Sequence, residues 1–133
     1  MQVAWQELGV EEFAGPADNP RIVEYHAACD NAETGDEVPW CSSFVNWCMK
    51  EAGEPRTRSR AARSWLEWGV KITEPVFGCV CVLWREAPDS WKGHVGFWLG
   101  DVGAGVALLS GNQSNEVTVK LFPEERVLGY RWV

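Results

Sequence analysis

The chain has no long apolar run, no Cys-x-x-Cys pair, only two histidines, and fewer basic than acidic residues. Its longest unbroken apolar stretch, Cys79 to Trp84, is far shorter than the roughly 20 residues a bilayer-spanning helix needs, so no membrane insertion is expected. Twelve basic against nineteen acidic residues give a net charge of −7, which argues against non-specific binding to nucleic acid or anionic membranes. A short local basic patch stays compatible with that balance. Arg56, Arg58, Arg60 and Arg63 form one, either as a solvated loop and helix face or as a contact for acidic groups. Two histidines beside five cysteines make a poor metal set, since Cys79-x-Cys81 is not matched by a second pair; no metal and no cofactor are expected. An odd number of cysteines cannot all pair within the chain, and reduced thiols are the better reading. The missing Cys-x-x-Cys ranks a thiol redox protein last. Met1 opens a polar segment containing Glu7, Glu11 and Glu12, which reads as no signal peptide.

What is present is material for a core. The 133 residues are 46% apolar and include nine tryptophans, enough for one domain spanning 1–133. Residues 3–9 suggest a short helix ended by Gly9. Asn19-Pro20 is a helix start, followed by Ile22, Val23, Tyr25 and His26 in a short amphipathic helix ending near Cys29. Residues 30–38 read as a polar, acidic loop leading into the next helix. Ser59 suits the cap of another short helix, with Ala62, Trp65 and Leu66 inward and Gly69 at its end. The period then changes. Residues 78–84, 93–99, 105–110, 116–122 and 127–132 are short, β-rich and separated by turn residues, which predicts roughly five strands in an antiparallel meander. Helices first and strands afterwards predict an α+β domain with the helices packed on one sheet face.

The stretch Pro39-Trp40-Cys41-Ser42-Ser43-Phe44-Val45-Asn46-Trp47-Cys48 organises the rest. Pro39 suits a helix entrance, and Phe44, Val45, Cys48 and Ala52 recur on one face until Gly53. Cys41 thus falls in a first helical turn, where unpaired backbone N–H groups and the helix dipole favour a thiolate. A cysteine nucleophile needs a base in hydrogen-bond reach, and the base needs an orienting group. His26 reads as a packed or surface residue. His94 opens a strand after Gly93, on the face it shares with Gly96 and Trp98; if that face meets the Cys41 helix, Gly96 allows close approach.

The blocks PWCSSFVNW (39–47), ARSWL (62–66), GHVGF (93–97) and GNQSN (111–115), in this order, resemble the papain-like NlpC/CHAP superfamily of cysteine peptidases, in particular its small phage endolysin-like branch. The likeness runs from about Trp5 to the final strand. It implies a papain-like fold and hydrolysis of a bacterial cell-wall peptide or amide bond through a cysteine acyl-enzyme. Cys41 is then the nucleophile and His94 the general base. In the superfamily the third group follows the histidine on the next strand. Here the alternation Leu108, Ser110, Asn112 selects Asn112, with Gln113 pointing the other way unless a bulge intervenes. The oxyanion hole is expected to use the Cys41 backbone N–H, with Tyr25 and Asp36 as candidates for the second donor. Ser42 is assigned either to helix-turn stabilisation or to the cleft. Trp40, Trp91 and Trp47 are candidate groove residues.

The resemblance implies bacterial peptidoglycan as substrate of either a wall endopeptidase or an N-acetylmuramoyl-L-alanine amidase, and a monomer is expected. It would be made in the phage-infected bacterial cytoplasm and act at the wall or periplasm. A non-catalytic wall-binding or virion structural module, and a secreted antibacterial toxin of the same chemistry, are the competing readings. Keeping both Cys41 and His94 favours the enzyme, because binding alone does not need that pair.

Overall fold

A computed structural model describes residues 1–13, 18–30 and 39–133. Three α-helices come first: α1 (Gln2–Gln6), α2 (Pro20–His26) and α3 (Cys41–Glu51). A 3-10 helix (Ala62–Glu67) leads into strands β1 (Val70–Ile72), β2 (Val80–Trp84), β3 (Gly93–Val102), β4 (Gly105–Gln113) and β5 (Glu116–Pro123). A 3-10 turn (Glu124–Arg126) then precedes β6 (Val127–Trp132). The domain is mixed α and β, with one antiparallel sheet of order β1-β6-β2-β3-β4-β5. Among the described residues no helix is long and apolar enough to cross a membrane.

Local chemistry sets the helix boundaries. Asn19 caps α2 by accepting from the Arg21 N–H at 2.9 Å, and Pro20 takes the first helical position. Gly53, at φ +73°, ends α3 in the left-handed conformation that glycine adopts without penalty. Asn46, buried in α3, accepts from the Arg58 N–H and donates to the Ser59 carbonyl, so it ties the following loop to the helix.

Two expectations about the sheet are corrected. It has six strands, because Val70–Ile72 pairs with β6 at the edge. That strand is short and largely exposed, so it lacks the alternation that marks a half-buried strand. The connectivity is also not a plain meander, since β6 returns to lie between β1 and β2.

The sheet buries both faces. On one, Val80, Val82, Val95, Phe97 and Leu109 pack against the helical layer around Tyr25, Trp40, Phe44 and Trp65. On the other, Cys81, Leu83, Val106, Leu108 and Phe122 form a smaller cluster. Gly111 makes the first packing possible: a side chain there would run into the Trp40 ring, and into Phe44 Cβ at 2.9 Å.

Candidate active site

Cys41 occupies the first position of α3, as expected, and is buried. Its sulfur lies against the backbone N–H of Val95, the residue that follows His94. This contact, with the N–H groups of Cys41 and Ser42, favours the thiolate. Burial outweighs them and pushes the thiol above its usual range, so the resting group is a thiol and not the thiolate expected from a helix start.

His94 sits at the start of β3 and is also buried. It pairs across the sheet with Leu83, and its ring lies 5.0 Å from that of Phe122, centroid to centroid. Those neighbours belong to the smaller cluster. The expectation that His94, Gly96 and Trp98 face the Cys41 helix is therefore reversed: Val95 and Phe97 do so. The physical reason is that the strand's more apolar alternate set goes against the larger aromatic core. Gly96 allows close approach within the sheet instead, since a Cβ there would stand 2.8 Å from Ser110 Cβ. Cys41 approaches from the helical side and His94 from the reverse face. Among the described residues no hydrogen bond joins the thiol to the imidazole.

The side chain that meets the His94 ring is Gln113, not Asn112. Gln113 Oε1 lies 2.9 Å from His94 Nε2. The pairing of β4 with β5 shifts between Ser110 and Gln113, and Asn112 takes a left-handed φ of +57°. The extra residue of this bulge inverts the alternation that selected Asn112. Gln113 Nε2 donates to the carbonyls of Leu108 (3.2 Å) and Thr118 (2.7 Å), which fixes the amide with its oxygen towards the ring. An oxygen facing Nε2 requires the proton there and leaves the Nδ1 lone pair open as a base. Burial, the largest cause, and the cations Arg126, Arg85 and Lys120 lower the His94 pKa to about 4, against the opposing pull of Gln113. The imidazole is neutral at pH 7.

The supporting candidates separate. The Tyr25 hydroxyl donates to Glu7 at 2.8 Å and its ring packs with Trp40, Phe44 and Trp47, so the second-donor role expected for it is replaced by a core role. Asp36 lies outside the described residues. Ser42 Oγ donates to the Ser59 carbonyl and accepts from Trp65 Nε1, which makes it a brace of α3. Trp40 is fully buried with its indole N–H on Glu12, so it is core and not groove. Trp47 is also buried. Trp91 is 78% exposed and lines a cavity of about 260 Å³ with Cys41, Arg60 and Arg85. Arg63 anchors the 87–92 loop through the carbonyls of Ala87, Pro88 and Lys92.

A second cavity, of about 230 Å³, contains His94, Gln113, Lys120 and Arg126. Arg85 lines both cavities and so joins the thiol side to the imidazole side. Sequence reasoning missed Arg85, Lys120 and Arg126, which come from separate elements and carry no local motif. None of the five cysteines forms a disulfide, and among the described residues no group of His, Cys, Asp and Glu side chains is arranged to hold a metal ion. No protein-family model matches the sequence, and no curated protein sequence matches it either.

Proposed function

We propose that the chain is a papain-like cysteine hydrolase of the NlpC/CHAP type that cleaves a peptide or amide bond of bacterial peptidoglycan, as a phage endolysin does. The observation that carries this reading is the pinned Gln113 amide, which sets the His94 tautomer beside the strand residue contacting the Cys41 sulfur. The fixed tautomer leaves Nδ1 as a free lone pair, which is what a general base must present.

In this mechanism His94 Nδ1 takes the Cys41 proton as the sulfur attacks the carbonyl carbon. Because the resting pair is neutral, charge develops only during attack, beside the Val95 and Cys41 backbone N–H groups. The imidazolium then protonates the leaving amine, and water hydrolyses the thioester. Closing the thiol–imidazole gap requires a shift on substrate binding, since catalytic hydrogen bonds often tighten only in the complex.

One observation favours the competing non-catalytic module: both groups are buried and not hydrogen-bonded to each other. Incubating purified peptidoglycan with wild type and Cys41→Ala decides between them. New amines or soluble muropeptides released by wild type alone support the hydrolase; no release by either protein supports the binding module.

A further inference from the structure

The cavity beside His94 has three cations on its wall and no carboxylate: Arg85 after β2, Lys120 on β5 and Arg126 in the turn before β6. In a chain of net charge −7 such a wall departs from the average surface. Glu86, next to Arg85 in sequence, is taken by Lys92 at 2.7 Å, and Glu125, next to Arg126, lines a different cavity. The side chains of Arg85 and Lys120 make no hydrogen bond or ion pair among the described residues. Arg126 spends only Nε, on the Trp84 carbonyl at 3.0 Å. Aromatic rings hold two of these cations in place. Arg126 lies 5.6 Å from the Trp84 centroid and 5.5 Å from that of Phe122, and Lys120 lies 5.8 Å from Phe122.

Gathering three like charges around a neutral buried imidazole is unfavourable unless an anion offsets them. Two guanidinium groups present paired N–H donors that fit the two oxygens of a carboxylate, and an ammonium adds a third point of attraction. Amide oxygens of Asn112 and Gln113 on the same wall add no negative charge. The bound group must lie next to the reacting bond, because Arg85 also lines the Cys41 cavity.

We propose that this cavity takes a free carboxylate of the substrate, so that the enzyme selects wall peptides whose acidic groups are not amidated. The ligand's identity as a wall peptide rests on the hydrolase reading; the anion preference of the cavity does not.

The test uses Cys41→Ala protein, which binds without turnover, titrated calorimetrically with L-alanyl-γ-D-glutamyl-L-lysine and with the same peptide carrying carboxamides. The acidic peptide should bind at least about tenfold tighter, as charge-assisted contacts are stronger than neutral ones. Adding Arg85→Gln and Lys120→Gln should reduce that ratio to below about threefold, with the circular dichroism spectrum unchanged. Neither substitution removes a hydrogen bond of the fold, so loss of discrimination cannot be ascribed to unfolding. Equal affinity for the two peptides, or binding of neither, overturns the proposal. Wild type assayed on purified wall separates the two readings. Discrimination without hydrolysis keeps the anion cavity and sinks the hydrolase; hydrolysis without discrimination does the reverse.

Discussion

Gln113 holds His94 in one tautomer: its amide oxygen faces Nε2 at 2.9 Å while both ends of its NH2 group are spent on the Leu108 and Thr118 carbonyls. Removing that amide frees the ring to rotate and to change tautomer. Gln113→Ala should lower kcat by about 10- to 100-fold, the range seen when partners that orient metal-bound histidines are lost. KM should change little. Asn112→Gly should leave kcat intact, because glycine adopts the left-handed φ of +57° at this bulge more readily than asparagine. Wall-hydrolysis kinetics on both variants check the assignment. The opposite pattern would restore Asn112 as the orienter.

Cys41 should be the thiol whose alkylation stops activity, because it alone among the five cysteines lines the cavity that holds the exposed Trp91 and Arg85. Burial raises the thiol, so labelling at pH 7 should be slow and should keep accelerating beyond about 8.5, the ordinary thiol pKa. Peptide mapping after partial alkylation reads the site. Activity lost through Cys48 or Cys81 instead would displace Cys41 from its role.

Trp40 and Trp91 should behave differently when truncated. Trp40→Ala empties a fully buried site against Gly111 and should cost about 3–5 kcal/mol of stability. Trp91→Ala, at a 78% exposed position, should leave the denaturation midpoint within error and raise KM. Urea unfolding and steady-state kinetics on each variant give the comparison.

These corrections show where the sequence stopped being informative. Periodicity and caps placed α2, α3 and the five longer strands, because those signals are local. Alternation also grouped His94 with Gly96, and Leu108 with Ser110, correctly. It carried no information on which face met the helices; the apolar weight of Val95 and Phe97 held that answer. The Asn112 error had a readable cause, since Gly111-Asn112 inside a strand is the composition of a bulge. The helix-start argument for a Cys41 thiolate was sound for an exposed sulfur, and it omitted the desolvation that dominates here. Arg85, Lys120 and Arg126 meet only after folding, so nothing in their spacing announced them.

The depressed pKa of His94 has a sign that experiment can read. The ring titrates near 4 when folded and near 6.5 when unfolded, because burial and three cations oppose its protonation. Between those values the unfolded state binds the extra proton, so stability rises with pH across the window and falls as pH drops from 6.5 to 4. Below about 4 the contribution levels off. Integrated over the window, the loss is about 3 kcal/mol. His94→Gln removes the titrating group, so wild type should lose about 3 kcal/mol more than the variant between pH 7 and pH 4 in urea titrations. An equal loss for both proteins would mean that the folded ring accepts a proton as easily as the unfolded one. In the proposed mechanism the same shift sets the acid limb, because His94 must be neutral to take the Cys41 proton. The acid limb of kcat/KM, which reports the free enzyme, should therefore fall near pH 4. A limb at 6.5 in wild type would show that the ring doing the chemistry does not occupy this buried, cation-lined environment.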